Sequence, residues 1–295
     1  MKREVLGLIT RLIARPFELK RPPSKLVAIV VPLSNRPDLL PDEEVSLRHL
    51  CHFLGRYDKF LVVPSNSKMN INNFKSEDFP ASFFGSVSAH NRLLGSPKFY
   101  NRFLDYKYIF FYHLDSLAFS DQLSEWCNAG WDYIGPPFIH CENTPWVKES
   151  GGGNGGFTLL RVESALKVIH NRYRQQPTSY WLDLFTRNGA RLLPLIKCLE
   201  RLQGHFPKSR VVNRLLAEWR DSENPVGNRN NDMFWSFSAH EFLPQFKVAT
   251  FEESLRFAFE VVPRRCLELN GGEMPFGCHA WGRYDREFWV PYLLK

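Results

Sequence analysis

YKYIFFYHLDSLAF, residues Tyr106 to Phe119, decides how the chain is read. Its first half, Tyr108-Ile109-Phe110-Phe111-Tyr112, is an aromatic and β-branched run, the pattern of a strand buried on both faces. His113, Asp115 and Ser116 then arrive together, and the apolar pair Leu117-Ala118 follows. A carboxylate and an imidazole at the end of a buried strand cost desolvation energy unless something pairs with them. Open α/β sheets bind ligands at the carboxyl ends of their strands. The simplest partner for Asp115 is therefore a cation or a ligand hydroxyl.

The sequence on either side alternates strand and helix. Lys25–Leu33 (KLVAIVVPL) reads as a central parallel strand closed by a Ser34-Asn35-Arg36-Pro37 loop. Glu43–Leu54 reads as a helix with acidic residues at its start, and Lys59–Val63 as a second strand. Residues 66–82 are polar and read as loop. Ser88–Leu104 reads as one helix, Asp121–Cys127 as a short one, and Asp132–Gly135 as a short strand. Phe157–Arg161 is a strand and Val162–Tyr173 a helix. Residues 177–221 are helical and basic, an insertion or small subdomain. Arg229–Ser238 begins a helix with Asn231 or Asp232 near its cap. Lys247–Phe251 and Ser254–Phe259 give no clear pattern. Such alternation predicts an α/β sheet domain.

The 295 residues allow one large domain or two modest ones. No apolar run is long enough to span a bilayer, and residues 1–25 lack the h-region and cleavage site of a signal peptide. Six scattered cysteines without CxxC spacing argue against a zinc ribbon and for reduced thiols in a cytoplasmic protein. The net charge of +7 is local: residues 1–25 carry seven basic and two acidic side chains, and residues 171–221 carry ten and four. That distribution points to two anionic contact surfaces and, with no nucleic-acid motif, away from nucleic acid. Residues 2–15 place Val5, Leu6, Ile9, Leu12 and Ile13 on one helical face. This is either a helix packed on the domain or a basic helix lying on an anionic membrane surface.

Gly151–Gly156 (GGGNGG) contains the spacing GxGxxG. A dinucleotide fingerprint follows a strand and opens a helix, whereas here a polar segment precedes and a strand follows. No GxxxxGK[ST] is present, which excludes a P-loop NTPase. Five glycines in six residues provide close backbone approach to a partner, and Asn154 and Trp146 are suited to a sugar. Taken singly, His113 with Asp115, His279 in PFGCHAW, and Asp232 in NND each also have a plain structural reading: a satisfied strand end, a bonded core histidine and a helix cap.

As a set, YHLDS, GNGGF, the acid before MFW, and PFGCHAW resemble nucleotide-sugar glycosyltransferases of the GT-A type. They look especially close to a bacterial family of glycosyltransferase-like domains catalogued as a domain of unknown function. The resemblance spans roughly Lys25 to Trp281. It implies a GT-A-like (Rossmann-like) domain over 25–295, a mixed, mainly parallel sheet flanked by helices, with 177–221 as a helical insertion and 1–24 as a basic helix and linker. It implies transfer of a sugar from a nucleotide-sugar donor to a glycan, lipid-linked or protein acceptor; the basic helix at 2–15 would have a lipid acceptor met at the inner face of the membrane.

Residue by residue, Asp115 takes the place of the DxD motif, which binds a divalent cation and the donor diphosphate. Only one acid is present, so His113 or Ser116 would supply the second contact and His279 would complete the shell. Mn²⁺ or Mg²⁺ is implied, with imidazole favouring Mn²⁺. Asp232 resembles the general base of inverting members. Pro32, Leu33, Ser34 and Asn35 would meet the nucleotide; Ser116, Asn154, Gly155, Gly156 and Phe157 would meet donor or acceptor. The degenerate motif leaves two rivals. One is a non-catalytic nucleotide- or carbohydrate-binding module. The other is a metal-dependent hydrolase or nucleotidyltransferase.

Overall fold

The computed structural model describes residues 17–33, 36, 38–65, 67–148, 151–175 and 230–294. The expected N-terminal helix at 2–15, the loop residues Ser34 and Asn35, and the insertion at 177–221 lie outside the described residues.

A six-stranded mixed sheet of order β3-β2-β1-β4-β7-β6 forms the centre. Its strands are β1 (Lys25–Pro32), β2 (Asp58–Pro64), β3 (Phe74–Phe79), β4 (Tyr106–Tyr112), β6 (Tyr133–Ile134) and β7 (Phe157–Arg161). β1 pairs in parallel with β2 and β4, and β2 with β3. β7 runs antiparallel to both β4 and β6. The strand expected from the FFY run sits in the middle of the sheet and is covered on both faces. Ile109 and Phe111 point into one apolar layer, while Tyr108, Phe110 and Tyr112 point into the other. Each such buried side chain stabilises the fold by roughly 1.5–3 kcal/mol.

The first layer is completed by helices α2 (Val87–Leu94), α3 (Pro97–Asn101), α5 (Val162–Gln175) and α6 (Asn231–Phe237). The second is completed by α1 (Pro41–Leu54), α4 (Leu123–Asn128) and α8 (Phe251–Phe257). The short α7 (Ala239–Phe242) continues α6. No helix among the described residues is long and apolar enough to cross a membrane. Cys51, Cys127, Cys141, Cys266 and Cys278 carry free thiols.

Two expectations need correction. The polar stretch 66–82 holds an edge strand, β3, whose FKSEDF sequence has no apolar alternation. Exposed charges on an edge discourage further pairing, and they also hide the strand from a hydrophobicity reading. The single helix over 88–104 is two. Gly95 ends α2, Ser96 accepts the Lys98 N–H at 3.2 Å, and Pro97 opens α3.

A second sheet of three short strands, β5 (Leu117–Ala118), β9 (Gly277–Cys278) and β8 (Ala258–Phe259), packs at the carboxyl end of β4. β9 is its middle strand, antiparallel to β5 and parallel to β8. Its own core, with Leu117, Phe259, Cys278, Trp281 and Trp289, is closed by α9 (Pro263–Leu269) and α10 (Arg286–Trp289).

Candidate functional site

Strand register brings the chemistry together. Tyr112 pairs with Phe157 across β4 and β7, so the next residues outward, His113 and Gly156, face each other. The His113 N–H donates to the Gly156 carbonyl at 2.8 Å. Leu117 pairs with Cys278 across β5 and β9, which sets the Asp115 turn beside His279. Phe259 pairs with Cys278 across β8 and β9, which sets Glu260 on the other side of His279. Two sheets thus end at one place, at the carboxyl end of β4.

His279 lies between two carboxylates. Its Nε2 is 3.3 Å from Asp115 Oδ1 and its Nδ1 is 3.2 Å from Glu260 Oε1. Both are ion-pair contacts. His113 packs edge-on against His279 on one side and His90 on the other, each at 5.6 Å between ring centroids. Donor atoms of His113, Asp115 and His279 all lie within 4.8 Å of one another.

Electrostatics differ sharply along this row. Burial works against a charged His279, but the Glu260 and Asp115 carboxylates outweigh it and raise the ring to about 10. Burial depresses His113 to about 3, and the neighbouring imidazoles His90 and His279 reinforce this. Burial alone takes His90 down to about 4. Asp115 is held well below the usual carboxylate range: burial opposes this, and the charge of His279 and its contact prevail.

The donor set fits a divalent cation. Ligand atoms bound at about 2.1 Å can stand no more than about 4.2 Å apart. Adjacent ligands stand closer, about 3.0–3.4 Å apart; the 3.3 Å between Asp115 and His279 meets that, and the rest of the cluster, within 4.8 Å, would draw in around an ion. His113 is neutral and offers a lone pair; His279 would release its Nε2 proton on binding. Two imidazoles with one carboxylate suit Mn²⁺ better than Mg²⁺.

A cleft of about 460 Å³ opens beside the cluster. Its polar end has His90, His113, Asn154, Asp232 and His279, and its apolar wall has Phe83, Phe84, Leu94, Phe111 and Trp235. Pro32, Leu33, Gly155 and Gly156 also line it. Asp232 is the second residue of α6, after the cap position Asn230. Its Oδ1 accepts the Met233 N–H at 2.7 Å and its Oδ2 the Gly155 N–H at 3.4 Å. Burial raises its carboxyl above the ordinary value, and those two N–H groups only partly offset this.

Other expected residues sit elsewhere. Ser116 is fully buried and donates to the Gly156 carbonyl at 3.2 Å. Phe157 is fully buried among Phe110, Phe257 and Phe276. Trp146 is half-exposed against Phe138, outside the cleft lining. Asn154 does line the cleft, but its side chain is engaged by the protein, donating to Glu260 Oε2 and accepting from Gly155 N–H at 2.8 Å. Glu260 and His90 escaped the sequence reading. Glu260 carried a signal, because it ends the apolar run FAF as Asp115 follows FFY; His90 lies in a helix with nothing to single it out.

No curated protein matches the chain. Among solved structures, the glycosyltransferase GlyE of Streptococcus pneumoniae TIGR4 aligns over 91% of this chain at 10% identity and a TM-score of 0.40. Its apo form aligns over the same share at 12% identity and a TM-score of 0.39. The chain spans 60% of the length of either. Residues 73–279, from the edge strand β3 to the site histidine, match the model of a family described as a protein of unknown function (DUF5672), and the chain belongs to that family.

Proposed function

We propose that this chain is a GT-A-like glycosyltransferase, moving a sugar from a nucleotide-sugar donor to a hydroxyl of a glycan, lipid-linked or protein acceptor. The observation that carries the reading is the convergence of His113, Asp115 and His279 at a strand end, beside a cleft that also holds the half-buried carboxylate of Asp232.

In this reading His113, Asp115 and His279 hold Mn²⁺ or Mg²⁺. A divalent cation there supplies positive charge against the leaving nucleoside diphosphate. Asp232, made more basic than an ordinary aspartate by burial, accepts the proton of the acceptor hydroxyl, a role that contributes about 10²–10⁴-fold. Pro32 and Leu33, with the aromatic wall of Phe83, Phe84 and Phe111, exclude water from the cleft and favour a planar base. Gly155, where a side chain would lie against Asp232, leaves room for a sugar to approach that carboxylate. The basic segment 2–15 is assigned to the cytoplasmic face of an anionic membrane, where a lipid-linked acceptor would be met.

The test is nucleotide release from a panel of nucleotide sugars with Mn²⁺, for the wild-type chain and Asp115→Ala. Release by the wild type and its loss in the variant are expected. Full activity in Asp115→Ala would refute the site, and nucleotide binding without release on any donor would favour the binding module.

A further inference from the structure

We infer that Glu260 is the positioning residue of this site, holding with one carboxylate both the His279 ring and the glycine run that faces the cleft. The inference rests on reading His113, Asp115 and His279 as a cation site. Glu260 follows β8 directly and is only 7% exposed. A buried carboxylate is tolerated where its oxygens are matched, and each of these has a different partner. Oε1 stands 3.2 Å from His279 Nδ1, and Oε2 accepts the Asn154 side-chain amide. Among the described residues, its ion-pair partner is His279 and no lysine or arginine.

The two contacts control two halves of the site. The Glu260 charge lies against Nδ1 at 3.2 Å as an ion pair without hydrogen-bond alignment, and a carboxylate on that edge steers the ring and strengthens Nε2, the atom facing Asp115, as a ligand. Asp115 cannot take over this task, because it occupies the opposite edge of the ring. On the other side, Asn154 passes the restraint on: its Oδ1 takes the Gly155 N–H, which also lies 3.4 Å from Asp232 Oδ2. One buried acid therefore connects the cation cluster to the carboxylate assigned as base. A glutamate whose sole task was core charge balance would have no reason to touch both.

Glutamine is the discriminating replacement. It keeps the shape of glutamate but has one acceptor oxygen, so either His279 or Asn154 meets an N–H instead. The probe is Mn²⁺ alone, with free ion measured by electron paramagnetic resonance in the full chain, and thermal melts confirming that each variant folds. Glu260→Gln should weaken Mn²⁺ binding about 10- to 100-fold, and Asp115→Ala should remove it. Wild-type crystals soaked in Mn²⁺ should show the ion on His279 Nε2, with Nδ1 toward Glu260. Unchanged Mn²⁺ affinity in Glu260→Gln, alongside its loss in Asp115→Ala, would overturn the positioning role and leave the cation site standing. Absence of Mn²⁺ binding in the wild type would overturn the cation site itself and this inference with it.

Discussion

The backbone of Gly156 passes so close to His279 that a Cβ at position 156 would collide with the imidazole Nε2. Gly156 also has φ +95°, where an L side chain is strained. Its neighbour Gly155 differs: a Cβ there would meet Asp232 Cβ at 3.5 Å, an ordinary contact. Gly156→Ala should therefore cost about 1–3 kcal/mol and displace His279. Gly155→Ala should stay within about 0.5 kcal/mol. Urea unfolding of the two variants, with Mn²⁺ affinity measured alongside, checks the contrast; equal behaviour would show that the ring gives way easily.

At the opposite end of the sheet, Asp58 joins three strands to β2. It takes Lys25 at 2.6 Å, the Tyr106 hydroxyl at 2.7 Å and Lys75 at 3.1 Å. The hydrogen bond from Lys25, then that from Tyr106, hold its carboxyl well below the ordinary value. A depressed folded pKa adds stability that is complete above the unfolded pKa, about 3.9, and fades as pH falls below it. The lysines are half-exposed, so screening reduces the effect. Asp58→Asn should cost about 1 kcal/mol at pH 7. That gap should hold between pH 6 and 8 and shrink at pH 2.5. A gap constant down to pH 2.5 would assign the loss to packing.

Phe157 was expected in the sugar-facing loop and stands instead in the densest aromatic cluster of the second core layer. Phe157→Ala should cost about 3–5 kcal/mol in urea unfolding. Phe157→Leu keeps an apolar filler, should lose less, and should bind Mn²⁺ as the wild type does. Weakened Mn²⁺ binding in a stable Phe157→Leu would return the residue to the site.

What the sequence disclosed follows from what it encodes locally. β1, β2, β4 and β7 are apolar runs, and burial on both faces leaves that mark. β3 carries none, because an edge strand satisfies its backbone by pairing while its side chains stay polar. Asp115 was legible because an acid so soon after FFY breaks an apolar run, although its side chain is 55% exposed and escapes most of the desolvation cost that suggested a partner. Its neighbour His279 was reached through resemblance. Glu260 obeys the same physics at the end of FAF, yet its value depends on the register of two-residue strands that no periodicity reveals. The engagement of Asn154 is likewise a tertiary fact: the contact that claims it comes from Glu260, far along the chain.

Asp232 separates a catalytic role from a structural one by the sign of two effects. As a helix-end acid it would stabilise α6, and removing such a group usually costs about 1 kcal/mol. Its environment argues the reverse. Burial raises its folded pKa, so its stabilising contribution is complete only below the unfolded value of about 3.9 and is lost as pH rises. At pH 7 the ionised carboxylate therefore burdens the fold, and Asp232→Asn should be as stable as the wild type or more so. If Asp232 accepts the acceptor proton, the same substitution should lower transfer about 10²–10⁴-fold. It should leave Mn²⁺ affinity unchanged, because Asp232 belongs to the cleft and not to the His113–Asp115–His279 cluster. The wild-type rate should fall on the acid side at a pH above that of an ordinary aspartate, and this limb should vanish in the variant. Retained transfer in Asp232→Asn, while Asp115→Ala is inactive, would return Asp232 to the helix end and favour a retaining mechanism.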